Sequence, residues 1–111
     1  MTKREIPRQI LTQWAAAKPT IKALSVFGSY ARGAAESDSD LDLAFEFTVA
    51  ADDALSELIC NAQAWKAELT ELTGIVVKDL CLSTDAAARG QKVLVFSREE
   101  DYTLLPPILP Q

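Results

Sequence analysis

The chain has 111 residues, 49% of them hydrophobic, a net charge of -5, no histidine and two cysteines. That length fits one domain with a proper core, and the lack of histidine excludes Ser-His and Cys-His nucleophiles and histidine-based zinc sites, leaving carboxylates as the metal ligands to look for. The charge is uneven, +5 over residues 1–33 and -10 over residues 34–111, and the acidic remainder argues against a general nucleic-acid binder, which needs a basic stripe.

Residues 5–18 place Ile6, Ile10, Leu11 and Trp14 on one helical face, with Pro7 tolerated in the first turn and Pro19 as the stop. IKALSVF, residues 21–27, is short, apolar and closed by Gly28, which predicts a buried strand. GSYARGAA then reads as a brief helical turn. From Leu41 the apolar residues Leu41, Leu43, Phe45 and Phe47 alternate with Asp42, Ala44 and Glu46, a strand with one buried face.

Residues 52–73 space Leu55, Leu58, Ile59, Ala62, Trp65, Leu69 and Leu72 by three and four, a helical stripe with Asp52 and Asp53 at its positive end and Gly74 at its stop. IVVKDLCLS, residues 75–83, predicts a third strand interrupted by Asp79, TDAAARG a short helix, and KVLVF a fourth strand. Prolines 106, 107 and 110 keep LLPPILPQ from continuing either kind of element. The expectation is an α/β fold with a small mixed β-sheet packed on helices, one domain over residues 1–103 and a proline-rich tail over 104–111. Trp14 and Trp65 fall on apolar stripes and read as core. Cys60 and Cys81 sit in apolar segments and read as reduced, buried thiols. The basic start lacks a signal-peptide core and no segment reaches the ~20 apolar residues of a membrane span, so a cytoplasmic protein is expected.

The densest chemistry lies in GSYARGAAESDSDLDLAFEF, residues 28–47. Gly28 lets the backbone approach a ligand closely, and Ser29 adds a hydroxyl beside newly opened N–H groups, an anion site in outline that is equally a common turn. Asp40 and Asp42, two apart on a strand, are expected to point to the same face, where they repel unless a cation neutralises them. With few ligands and all of them oxygen, Mg²⁺ or Mn²⁺ sharing phosphate oxygens suits the pair better than zinc, although a plain acidic turn has the same residues. A calcium loop beginning at Asp38 fails because Leu43 replaces its glycine and Val49 its glutamate. Asp79 is costly in a strand built for burial unless something pairs with it, and it stands beside the other two if residues 41–47 and 75–82 are neighbours.

Glycine-serine, ten intervening residues, aspartate-x-aspartate and a later strand aspartate together resemble the nucleotidyltransferase superfamily with the polymerase-beta-like fold. GSYARG…SDSDLDLAFEF is similar to its minimal nucleotidyltransferase (MNT) branch, many of whose members are antitoxins paired with HEPN-domain toxins. The likeness is dense over residues 21–47 and looser over 75–83 and KVLVF. It implies that Gly28 and Ser29 hold the nucleoside triphosphate, with Arg32 and Gly33 matching the family wording, and that Asp40, Asp42 and Asp79 bind the metals and activate an acceptor hydroxyl. Arg32 is equally suited to pairing with a nearby acid, and Glu46 to a place on the rim. Implied with these are Mg²⁺ or Mn²⁺, ATP as substrate, AMP transfer to a hydroxyl, and a cognate HEPN-type toxin as partner in a homo- or hetero-oligomer, with no membrane or direct nucleic-acid contact. A chain of this size has no room for an acceptor domain, so the acceptor is expected to bring its own surface. A non-catalytic antitoxin acting by contact alone is the alternative from a different class, and a drug-modifying transferase a weaker third.

Overall fold

The computed structural model describes residues 4–36, 38–86 and 91–98. Helix α1 (Arg8–Ala16) leads into β1 (Ile21–Phe27) and β2 (Leu41–Phe47). The long helix α2 (Ala51–Thr73) follows, then β3 (Val77–Leu82), the single turn α3 (Ser83–Ala86) and β4 (Lys92–Ser97). The strands form one sheet in the order β3-β2-β1-β4. β1 is antiparallel to both of its neighbours, and β2 and β3 run parallel, joined by α2 as parallel strands require. This is the small mixed α/β fold expected from the pattern.

Alternation decides which face is dry. Leu41, Leu43, Phe45 and Phe47 join Leu24 and Val26 of β1, Leu11 and Trp14 of α1, and Leu58, Trp65 and Leu69 of α2 in one cluster, so both helices cover the same side of the sheet. Residues of the opposite parity, Phe27, Ala44 and Cys81, make a small second cluster on the other side. Asp42 and Asp79 lie on that second side.

Four aromatic rings anchor the main core. Trp14 meets Trp65 edge-on with centroids 5.4 Å apart, and Phe45 stacks on Trp65 at 5.5 Å and on Phe47 at 5.7 Å. Such pairs add about 0.5–1.5 kcal/mol each beyond burial. Trp14 satisfies its buried indole by donating Nε1–H to Glu68 Oε1 at 2.7 Å, while Lys18 Nζ lies 3.2 Å from the same oxygen. The indole hydrogen bond first, and Lys18 second, hold the Glu68 carboxyl below the usual carboxylate range. A depressed folded-state pKa stabilises the protein above the unfolded value, and that contribution disappears as pH falls through the folded one. Glu68→Gln is therefore expected to cost under ~1 kcal/mol near neutral pH, Glu68 being half exposed. Urea melts should also show the mutant losing less stability than the parent between pH 6 and about 3.

Arg98 fastens the far end of β4. Its guanidinium donates to the carbonyls of Ile21 (2.9 Å), Ala15 (3.1 Å) and Lys18 (2.9 Å), two of which belong to the end of α1 and the turn after it. Helix ends leave such carbonyls without internal partners, and a cation there also suits the helix dipole.

Some boundaries and exposures differ from the sequence reading. Helix α1 starts at Arg8 rather than residue 5, because the Arg4 N–H donates to Ala35 O (2.9 Å) and draws residues 4–6 toward the loop after β1. β3 starts at Val77, since Thr73 and Thr70 hydroxyls accept the N–H groups of Ile75 and Val77. The buried line of α2 runs through Leu58, Trp65 and Leu69 and is narrower than the apolar stripe, so Leu55, Ile59 and Leu72 are exposed. Cys60 is exposed as well, contrary to expectation, because it sits on the outer side of α2; Cys81 is buried, and both are free thiols. The end of the helix expected over 84–90 and the tail 104–111 lie outside the described residues. No described helix is long and apolar enough to cross a membrane.

Candidate active site

The site begins where β1 stops. Gly28, at φ +76°, turns the chain off the sheet, and its carbonyl accepts N–H groups from Ala31 (3.1 Å) and Arg32 (3.2 Å). Tyr30 O and Ser29 O accept from Gly33 (3.3 Å) and Ala34 (2.9 Å) in turn. One tight turn results. As at the start of a helix, its first N–H groups have no backbone acceptor: among the described residues no carbonyl accepts from Ser29 or Tyr30 N–H. The half-buried Ser29 hydroxyl stands beside them.

Asp42 is the second residue of β2. It pairs with Phe27 across the antiparallel ladder and with Asp79 across the parallel one. Laterally paired residues point to the same face, so two carboxylates stand on adjacent strands about 4.8 Å apart in the backbone. The Asp42 carboxylate also reaches Gly28, for a Cβ built on that glycine would fall on Asp42 Oδ2. Only a hydrogen fits there.

Asp40 occupies a different position. β2 starts at Leu41, so Asp40 lies at the threshold of the ladder, half-buried, and the strand does not set its direction. Its charge acts on Tyr30, whose phenol pKa is pushed up first by burial and further by Asp40, against a lowering influence from Arg4. Arg32, Gly33 and Asp38 are exposed in the same connection. Glu46, farther along β2, is 3.6 Å from Lys22 Nζ, which accounts for its charge at the rim.

Among the described residues no three carboxylate or thiol side chains converge into a metal cage. What the strands bring together is the pair Asp42 and Asp79. An all-oxygen pair of this kind fits Mg²⁺ or Mn²⁺, which keep waters and take phosphate oxygens as their other ligands, and it does not fit a closed zinc site.

One cation on this face escaped the sequence reading. Lys92, the first residue of β4, pairs with Phe27, so Lys92, Phe27, Asp42 and Asp79 form a single row across all four strands. No local pattern could reveal it, because nothing in KVLVF says that β4 lies against β1 in this register.

No curated protein matches the chain. The family model described as "Polymerase beta, Nucleotidyltransferase" matches residues 9–101, a span that takes in α1 but for its first residue, all four strands, the Gly28–Ser29 turn and the Asp42–Asp79 pair. By that match, and with a fold that agrees with it, the chain belongs to the polymerase beta nucleotidyltransferase family.

Proposed function

We propose that this nucleotidyltransferase moves AMP from ATP to a hydroxyl of a partner protein, and that it serves as an antitoxin neutralising a HEPN-type ribonuclease toxin. The observation that carries the transferase reading is the pairing of Asp42 with Asp79 in register, with the Asp42 carboxylate against the Gly28–Ser29 turn. Asp42 and Asp79, with Asp40 at the threshold, would hold the divalent ions. When bound, such ions neutralise phosphate charge and raise the acidity of an attacking hydroxyl.

The chain's own part is positioning. The Ser29 hydroxyl and the N–H groups of the turn take the negative end of the triphosphate, Arg32 and Lys92 add charge from either side, and the buried floor keeps the carboxylates fixed. The acceptor oxygen forms its bond to the α-phosphorus while the bond from that phosphorus to the bridging oxygen breaks. Pyrophosphate leaves, and the acceptor proton passes to a carboxylate or to water. Ser29→Ala is expected to weaken ATP binding in Mg²⁺ by about 1.5–3 kcal/mol, one hydrogen bond to a charged group. Unchanged affinity by calorimetry would reduce Ser29 to a turn residue.

The choice of a protein acceptor draws on charge. The acidic body of the chain, -10 over residues 34–111, suits a basic, RNA-cleaving partner and would steer the two together. The test is to incubate the protein with the candidate toxin and Mg²⁺-ATP and weigh the toxin. Transfer adds about 329 Da per AMP group, at a tyrosine or another hydroxyl near the toxin's active site. If the toxin's mass stays constant while stoichiometric binding still blocks it, the protein is a contact antitoxin. That second reading draws on the same acidic charge, which would steer a basic partner with or without transfer.

A further inference from the structure

Tyr30 follows Ser29 in the turn but serves the other side of the sheet. Its ring belongs to the main core, 4% exposed, and its hydroxyl is a buried polar atom with no hydrogen-bond partner. A buried hydroxyl left unpaired is unfavourable, and native proteins keep few of them without a use. Tyr30 lines a cavity of about 350 Å³ together with Arg4, Glu5, Ile6, Arg8 and Gly33. The carboxylates of the transfer site do not line it.

Three features give that cavity its character. Arg4 and Arg8 are exposed, and neither is ion-paired with a described carboxylate, so both guanidinium groups can turn inward. Pro7 begins α1 with no side-chain cap, which leaves the positive end of a nine-residue helix at the same place. The Arg4 N–H bond to Ala35 O holds this arm against the exit of the Gly28 turn. Glu5 and Asp40 are the opposing charges nearby, one lining the cavity and the other acting on the phenol, where Arg4 outweighs it.

We propose that this cavity is a second anion site, which takes a phosphoryl or pyrophosphoryl group through Arg4, Arg8 and the Tyr30 hydroxyl. Arginine suits such ligands because its planar fork donates two parallel hydrogen bonds to phosphate oxygens. The phenol supplies a donor that stays protonated, since burial pushes its pKa up. Arg4 already acts electrostatically on the phenol, and its exposed side chain is free to share its charge with an anion in the cavity.

The site is tested in metal-free buffer at constant ionic strength by ¹H–¹⁵N NMR titration with pyrophosphate and, separately, orthophosphate. Saturable shifts are expected at the amides of Arg8, Tyr30 and Gly33. Tyr30→Phe keeps the packed ring and should weaken binding about 10- to 100-fold, and Arg8→Gln by a similar factor, while Asp42→Asn leaves it unchanged. Tighter binding of pyrophosphate would point to the by-product of transfer as the natural ligand, and equal or tighter binding of orthophosphate to free phosphate; either supports the site. Equal affinity in Tyr30→Phe and the parent, shifts confined to Gly28 and Ser29, or no saturable shift would overturn it. Because no metal or acceptor is present, the result does not depend on whether the protein transfers AMP.

Discussion

Asp42→Asn is expected to abolish transfer, by about a thousandfold or more, while leaving the fold intact. The substitution keeps the size of the side chain and its contact with Gly28, and removes one of two charges that stand on adjacent strands. In the metal-free protein that removal relieves repulsion, so stability should stay level or rise by up to ~1 kcal/mol. In the proposed reaction it removes a metal ligand where charge stabilisation would supply most of the rate, and a thousandfold loss corresponds to about 4 kcal/mol of activation free energy. Two measurements check it independently: transfer of labelled AMP to the partner, and Mn²⁺-induced broadening of the Asp42 and Asp79 amide signals, which should vanish in the mutant. Transfer at the parent rate with Mn²⁺ broadening preserved would remove Asp42 from the site.

Gly28→Ala should damage both the fold and the site. At φ +76° an alanine carries left-handed strain of about 1–2 kcal/mol. Its methyl would also land on the Asp42 carboxylate, and forcing apart packed groups costs a further ~1–3 kcal/mol. A total near 2–5 kcal/mol should lower Tm by roughly 10–25 °C in a domain of this size. Moving the carboxylate by even about 1 Å should cost transfer around a hundredfold. Gly74→Ala is the control. That residue has nearly the same backbone, φ +74°, and nothing within 4 Å of a built Cβ, so it should lose only the backbone part and keep full transfer. If the two alanines melt alike and transfer alike, the contact between Gly28 and Asp42 has no functional weight.

Both experiments depend on a meeting of residues 14 and 37 positions apart in the chain. The residue types were legible beforehand. Gly28, Ser29, Asp42 and Asp79 stand out as turn glycine, hydroxyl and strand carboxylates, and each is in the kind of element its neighbours imply. Asp40 is the instructive exception. Its spacing from Asp42 suggests one strand face, but pairing starts at Leu41, and a residue outside the ladder takes its direction from the loop. Lys92 and Tyr30 lay out of reach for the same reason, since one gains its place from strand order and the other from an arm that folds back onto the turn.

What the amino-acid sequence determined by itself was local. A short apolar run closed by Gly28 set the limits of β1, apolar alternation marked β2, and the three-four spacing between Asp52 and Gly74 set the limits of α2 to within a residue, because side-chain period follows directly from backbone geometry. The tertiary structure alone decided the order β3-β2-β1-β4, the meeting of Asp42 with Asp79, the side of the sheet that both helices cover, and the exposure of Leu55, Ile59 and Cys60. The physical reason is that strand pairing and helix packing are chosen by the whole set of apolar faces burying one another at once. A pattern within ten residues states which face is apolar and leaves open which partner will cover it.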